Sequence, residues 1–126
     1  MKVPEHILQA AIREARKSES PLKHGAVSFT RGKLLHRGFN RWIPASQGRK
    51  CSLHAEIGAV RHLPYRTRFC SSPVEVLVVR ISKTLGMLGP SRPCEKCIKM
   101  LFAYNVRRVW YSTETGDIAW MPLAQA

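Results

Sequence analysis

The chain has 126 residues, 44% of them hydrophobic, and 21 lysines and arginines against 8 acidic residues give it a formal charge of +13. This length suits one domain with a real core and excludes two, so we expect a single domain over residues 1–126. No apolar run of about 18 residues and no signal-peptide core occurs, which predicts an intracellular protein, in cytoplasm or nucleus, without a membrane partner. The charge favours a polyanion, either nucleic acid or a phosphorylated nucleotide, over a merely solvated basic surface.

The first half of the chain is predicted to contain two helices and a hairpin. Apolar residues at helical spacing predict an amphipathic helix over residues 4–18. "GAVSFT" and "KLLHRGF" are typical of two strands joined by a tight turn at "RG". Residues 40–50, "NRWIPASQGRK", contain proline and glycine and are predicted to form a loop. A second helix is expected over residues 53–63, ended by Pro64.

The second half is predicted to alternate strands with a third helix. After the basic loop "YRTRFCSSP", the apolar run "VEVLVVRI" is typical of a strand buried on both faces. Residues 82–92 are expected to form a loop, and Pro93 to open the helix "CEKCIKMLFAY". "VRRVWYS" and "IAWMP" are predicted to be the last strands. This order of elements indicates an α/β protein with a sheet covered by helices.

The motif "PCEKC" carries the strongest chemical signal. Cys94 and Cys97 stand three positions apart on one helical face, so both sulfurs can reach one metal ion. Alone, such a pair is ambiguous among zinc, a redox disulfide and coincidence. His54 offers a third ligand from another helix. Because side chains of a first helical turn tilt toward the N-terminus, His54 and Glu56 can converge beyond the helix end, with Glu56 reaching a water on the metal.

The combination of "HAEI" and "PCEKC" resembles the H-x-E…P-C-x-x-C signature of the zinc-dependent cytidine deaminase superfamily. The likeness extends over most of the chain, through "GAVSFTRGKLLHRGFN", "HAEIGAV", "SRPCEKCIKML" and "VRRVWYS". A histidine at the first ligand position is similar to deoxycytidylate, tRNA adenosine and polynucleotide cytidine deaminases. The resemblance implies a cytidine-deaminase-like three-layer α/β/α fold, in which a mixed sheet of about five strands carries helices on both faces.

The resemblance also implies a mechanism. Carried over by motif position, His54, Cys94 and Cys97 bind Zn²⁺, and Glu56 is the general acid/base. Zinc lowers the pKa of its water, Glu56 accepts the proton, and hydroxide attacks C4 of cytosine or C6 of adenine. Glu56 then returns protons to the ring nitrogen and the leaving amine, and ammonia departs.

Five further residues are predicted to contact the substrate. Asn40 ends the "GFN" strand, where the family hydrogen-bonds the sugar or base of its substrate. Arg41 and Trp42 combine a cation with an aromatic ring, which suits phosphate binding and base stacking. Ala55, inside "HAEI", belongs to the same predicted set. Arg92, beside the cysteines, is a candidate phosphate contact.

A structural zinc site is the main alternative. Cys51 and His54 together with Cys94 and Cys97 could close a Cys-His-Cys-Cys site in a non-catalytic nucleic-acid-binding module. The long gap between the pairs is unlike a compact zinc finger, and this alternative leaves Glu56 unexplained. Cys70 is interpreted as an incidental thiol. The other histidines are expected to be surface or packing residues: His6, His24, His36 and His62.

The substrate predicted from the charge is cytosine in single-stranded DNA or RNA, converted to uracil. Two alternatives stay open, a deoxycytidylate-type mononucleotide deaminase and a tRNA adenosine deaminase, which "HAEI-x-A" and "GFN" most resemble. The chain ends at Ala126 without the C-terminal helices that tRNA and polynucleotide deaminases generally add, which weighs against those classes. Family members often dimerise or form tetramers, so the resemblance leaves a homo-oligomer open.

Overall fold

Helices and strands alternate along the chain in this computed structural model, which describes residues 2–44, 50–63, 73–82 and 87–123. The helices are α1 (Glu5–Arg16), α2 (Ala55–Val60) and α3 (Glu95–Ala103). The strands are β1 (Lys23–Thr30), β2 (Lys33–Phe39), β3 (Arg41–Pro44), β4 (Lys50–Leu53), β5 (Val74–Ile81), β6 (Leu88–Gly89), β7 (Val106–Ser112) and β8 (Ile118–Pro122). Within those ranges, none of the helices has both the length and the apolar character needed to cross a membrane.

The first helix and the hairpin form as predicted. Helix α1 starts after Pro4 and buries its apolar face, including Ile7, Ala11 and Ala15. Strands β1 and β2 pair in antiparallel fashion around Arg31 and Gly32, whose φ angles are 50° and 75°. Two consecutive positive φ angles are typical of a hairpin turn whose twist matches the twist of its strands. The helix and the hairpin are therefore confirmed.

The main sheet is mixed and has the order β2-β1-β5-β7-β8, with the short β6 paired to β5. Strand β5 is antiparallel to β1 and parallel to β7, while β8 is antiparallel to β7. One apolar cluster joins α1 to the sheet, and a second joins α2 and α3 to its other face. The expected three-layer α/β/α architecture is confirmed, and the nearly continuous apolar run of β5 is explained because both its faces are covered.

Residues 40–50 were predicted to form a loop, and this prediction is wrong for the part that the structure describes. Strands β3 and β4 pair as a separate two-stranded sheet, with Arg41 opposite Leu53 and Pro44 opposite Lys50. Proline suggested a loop, but a two-stranded sheet has only edge strands, which tolerate a residue without an N–H group. The predicted loop of residues 82–92 likewise contains β6. The predicted helix stop at Pro64 and the thiol of Cys70 lie outside the described residues.

Helix α2 lies unusually close to β2 because glycines meet at the contact. A Cβ atom on Gly38 would lie 2.5 Å from the carbonyl oxygen of Ala55 and 2.7 Å from the Cα atom of Gly58. Both are backbone atoms, so relief requires moving α2 itself. We expect Gly38→Ala to lower the free energy of unfolding by about 1–3 kcal/mol, measured by urea denaturation.

The matched control for that variant is Gly89→Ala. A Cβ atom there would meet only the flexible guanidinium of Arg80, at 3.7 Å. An equal loss of stability in the two variants would contradict a specific role for the close approach of α2 to β2. The contact bears on function as well, since α2 carries the histidine and glutamate of "HAEI".

Candidate active site

His54, Cys94 and Cys97 come together in the folded chain. One ligand atom from each lies within 4.8 Å of the others, and Nδ1 of His54 is 3.1 Å from Sγ of Cys97. A tetrahedral zinc ion with Zn–N bonds of about 2.0 Å and Zn–S bonds of about 2.3 Å holds its ligand atoms roughly 3.3–3.8 Å apart. The three side chains therefore suit Zn²⁺ with small adjustments.

Two helix N-termini bring these residues together. His54 directly follows β4 and is the N-cap residue of α2, while Cys94 is the N-cap residue of α3. Cys97 lies in the first turn of α3 and is buried. Because α2 and α3 pack on the same face of the sheet, their first turns meet. His54, Cys94 and Cys97 therefore converge where α2 and α3 begin.

The surroundings of Cys97 favour a cation. Burial raises the pKa of this thiol far above its usual range, and the neighbouring Glu56 carboxylate raises the pKa further. Zinc binds the thiolate form, so a metal ion must supply the charge that keeps this buried sulfur deprotonated. Glu56 is itself only 5% exposed. The group thus combines soft ligands with a buried carboxylate beside them.

A cavity of about 370 Å³ opens beside this cluster. The predicted site residues that line it are Asn40, Trp42, His54, Ala55, Glu56, Arg92 and Cys94. Its walls therefore bring together metal-binding groups, a buried carboxylate, an aromatic ring and a cation. A cavity of this size with a few polar groups is typical of a small-ligand site.

The family model of the cytidine and deoxycytidylate deaminase zinc-binding region matches residues 1–113. The chain belongs to this deaminase family. Family membership and the His-Cys-Cys cluster together identify a zinc-dependent deaminase. No curated protein matches the chain significantly.

Solved structures share the fold of this deaminase. The cytidine deaminase of Burkholderia pseudomallei is 21% identical with a TM-score of 0.65, covering 95% of this chain and 93% of that chain. The dCMP deaminase of cyanophage S-TIM5, in complex with dCMP and dUMP, is 21% identical with a TM-score of 0.53, covering 90% and 85%. A Thermotoga maritima diaminohydroxyphosphoribosylaminopyrimidine deaminase/reductase is 20% identical with a TM-score of 0.51, covering 87% of this chain and 29% of that one. At these identities the likeness shows a common fold.

Of the five residues predicted to contact the substrate, Arg41 is the one that the structure does not bring to the cavity. Its guanidinium lies over the ring of Phe39, 5.9 Å from the centroid, and it lines a different cavity. Adjacent residues of a strand point to opposite faces, so Arg41 and Trp42 cannot both face the active-site cavity of the deaminase. Side chains of a loop do not alternate in this way, so the loop predicted over residues 40–50 gave no reason to place Arg41 and Trp42 on different sides.

Asn40 is buried and has structural partners. Its Oδ1 atom accepts a hydrogen bond of 2.8 Å from the N–H group of His24, and its Nδ2 atom donates to the carbonyl oxygen of Leu22 at 2.5 Å. These bonds hold the chain that leads into β1 beside the end of β2. An amide oxygen accepts two hydrogen bonds and an amide nitrogen donates two, so Asn40 keeps one of each for the cavity.

His24 is a cavity residue that sequence analysis missed, since it was expected to be a surface or packing residue. It lines the same cavity as Glu56. Burial lowers the pKa of His24. The Glu56 carboxylate raises this pKa but offsets only part of the decrease. The sequence signal is the alternation of β1, which places Ala26 and Ser28 on the same face as His24. In the structure this face meets α2, where the Ser28 hydroxyl donates a hydrogen bond to the carbonyl oxygen of Ala59. Only the position of α2 shows which face carries the site.

Ser91 anchors the segment that leads into α3. Its hydroxyl donates a hydrogen bond of 2.8 Å to the carbonyl oxygen of Val78 on β5, and it accepts one of 2.8 Å from the N–H group of Ser112 on β7. These bonds attach the chain to two strands only three positions before Cys94. The buried serine therefore positions the cysteine motif of the deaminase against the sheet.

Proposed function

We propose that this deaminase converts cytosine to uracil in single-stranded DNA or RNA, acting as one catalytic domain over residues 1–126. The observation that carries the proposal is a single cavity that brings the buried Glu56 carboxylate to the His-Cys-Cys cluster. The charge of +13 supports a substrate with several phosphates, because phosphate contacts dominate nucleic-acid affinity.

In this proposal, His54, Cys94 and Cys97 hold the zinc ion. Three protein ligands leave a tetrahedral ion one position for water or substrate, which is typical of catalytic rather than structural zinc. When bound there, zinc supplies Lewis-acid chemistry and lowers the pKa of water toward neutrality. The remaining steps depend on groups of the chain.

Glu56 moves the protons. Its carboxylate accepts a proton from the attacking water and donates one to N3 of the cytosine ring as the new C–O bond forms at C4. Glu56 then accepts the proton of the new C4 hydroxyl group and passes it to the exocyclic amine, the C4–N bond breaks, a carbonyl group forms at C4, and ammonia leaves. Because Glu56 is almost fully buried, bulk water does not compete for these proton transfers.

The cavity walls would bind the rest of the nucleotide. Trp42 is 54% exposed and offers a ring face on which a base can stack. Arg92 is exposed at the edge of the cavity and suits one phosphate group. Asn40 has one donor and one acceptor left for the sugar or base, and Ala55 completes the wall beside Glu56.

The solved structures named above support cytosine over adenine, because they are a cytidine deaminase, a dCMP deaminase and a deaminase of an aminopyrimidine. They also favour a second candidate. The cyanophage enzyme binds dCMP and dUMP, and the cavity described here needs only Arg92 to hold one phosphate. Deamination of a free deoxycytidylate-type nucleotide is therefore the alternative, and the tRNA adenosine reaction has only its motif likeness in support.

A substrate panel tests the proposal. Zinc-loaded protein is incubated with single-stranded DNA and RNA, which are then sequenced, and with cytidine, dCMP and adenosine, for which ammonia release is measured. We expect cytosine-to-uracil changes in the oligonucleotides, with a rate at subsaturating substrate that falls steeply as salt rises. Activity on mononucleotides alone would overturn the polynucleotide assignment and support the alternative.

A further inference from the structure

A second cavity, of about 170 Å³, is lined by Arg41, whose neighbour on β3, Trp42, lines the catalytic cavity. We call it the basic cavity, because its lining includes Arg37, Arg41, Arg61 and His62. The three arginines are exposed, so their guanidinium groups are accessible to a ligand. These residues come from β2, β3 and the C-terminal end of α2, three separate segments that folding brings together.

The charge of the basic cavity is not balanced by the protein. Glu14 also lines it, but the Glu14 carboxylate forms an ion pair with Lys17 at 2.6 Å. All 8 acidic side chains of the sequence lie in the described part of the chain, and none of them pairs there with Arg37, Arg41 or Arg61. Three like charges around one small cavity repel one another, and an anionic ligand would relieve that repulsion.

The geometry of these side chains suits phosphate. A guanidinium group presents paired N–H donors that match the oxygens of a phosphate. The Arg41 guanidinium is held over the Phe39 ring, and Nε of Arg61 donates to Nε2 of His62 at 3.1 Å. Both arginines therefore have partners that restrict their side chains, which reduces the entropy lost when an anion binds.

The basic cavity is close to the catalytic cavity and separate from it. Arg41 and Trp42 are adjacent on β3 and point to opposite sides, one into each cavity. Glu56 and Arg61 lie near opposite ends of α2, and a rise of about 1.5 Å per residue places them roughly 8 Å apart along the helix axis. A free nucleotide with its phosphate near Arg92 does not extend to the far side of β3, whereas a polynucleotide continues beyond its target base.

We propose that the basic cavity binds a backbone phosphate that flanks the target nucleotide of a single-stranded nucleic acid. This inference rests on the proposed function and adds a second contact point to it. It also gives Arg41, which does not line the catalytic cavity, a role in binding phosphate.

Binding of a labelled single-stranded oligonucleotide to the zinc-loaded protein tests the inference. Arg41→Gln and Arg61→Gln are each expected to raise Kd about tenfold, the loss of one charge-assisted contact. Each should also reduce the slope of log Kd against log salt by about 0.7. Ammonia release from dCMP should not change in either variant, because neither residue lines the catalytic cavity.

Arg107→Gln is the matched control, since Arg107 is exposed on β7 and lines neither cavity. If the control and the two variants weaken binding equally, general surface charge explains the affinity and the inference is overturned. If oligonucleotides are deaminated but neither arginine affects their binding, the inference fails while the proposed function stands. If the unmodified protein deaminates no oligonucleotide, the proposed function itself fails, and this inference falls with it.

Discussion

Replacing Glu56 with glutamine is expected to lower the rate of deamination by about 10²–10⁴-fold. Glutamine has nearly the same size and can still form hydrogen bonds in this buried position, but it cannot accept a proton from water at neutral pH. The expected result is therefore a protein with unchanged zinc content and an unchanged melting temperature that releases almost no ammonia. Ammonia release, metal analysis and thermal unfolding on the same preparation measure the three quantities.

Glu114→Gln provides the control for that experiment, because Glu114 is exposed in the turn between β7 and β8. It changes the net charge of the protein by the same amount, so any effect of charge on substrate affinity appears in both variants. Full activity in Glu56→Gln would remove the general acid/base from the mechanism. A loss of zinc in that variant would make Glu56 a metal-site residue instead of a proton carrier.

Much of the fold and the centre of the site could be predicted because their signals are local. The spacing of Cys94 and Cys97 in one helical turn depends only on the geometry of a helix, and so does the amphipathic pattern of α1. The apolar run of β5 depends only on burial of both faces. The proximity of His54 to the two cysteines was predicted as well, because "HAEI" and "PCEKC" together indicate one metal ion bound at the N-termini of two helices.

The orientation of β3 could not be predicted in the same way. In sequence, Arg41 and Trp42 are neighbours in a polar segment, and nothing there shows that they face different sides. The pairing of β3 with β4 makes this segment a strand, so the two residues line different cavities. His24 was missed for a related reason. The face of β1 that becomes the wall of the active site is decided by where α2 packs, and this depends on the close contact of Gly38 with α2.

Cys97→Ser is expected to cost the protein its zinc and, with it, all measurable deamination. A serine hydroxyl is not ionised at neutral pH and is a poor zinc ligand, so we expect zinc affinity to fall by more than about 100-fold. The melting temperature should fall as well, because an ion held by these residues would join the first turns of α2 and α3, and binding to the folded state stabilises that state. Metal analysis and thermal unfolding with and without a chelator check both results.

Cys51→Ala separates the catalytic site from a closed structural site, and the side chain of Cys51 lies outside what the structure describes. A Cys-His-Cys-Cys site would need Cys51 as its fourth ligand, so Cys51→Ala would then lose zinc much as Cys97→Ser does. A catalytic site keeps its fourth position for water or substrate, and the variant should then retain both zinc and activity. Since His54, Cys94 and Glu56 all line a cavity of about 370 Å³, the metal-binding residues open onto a space that can hold a substrate, and we expect the second result.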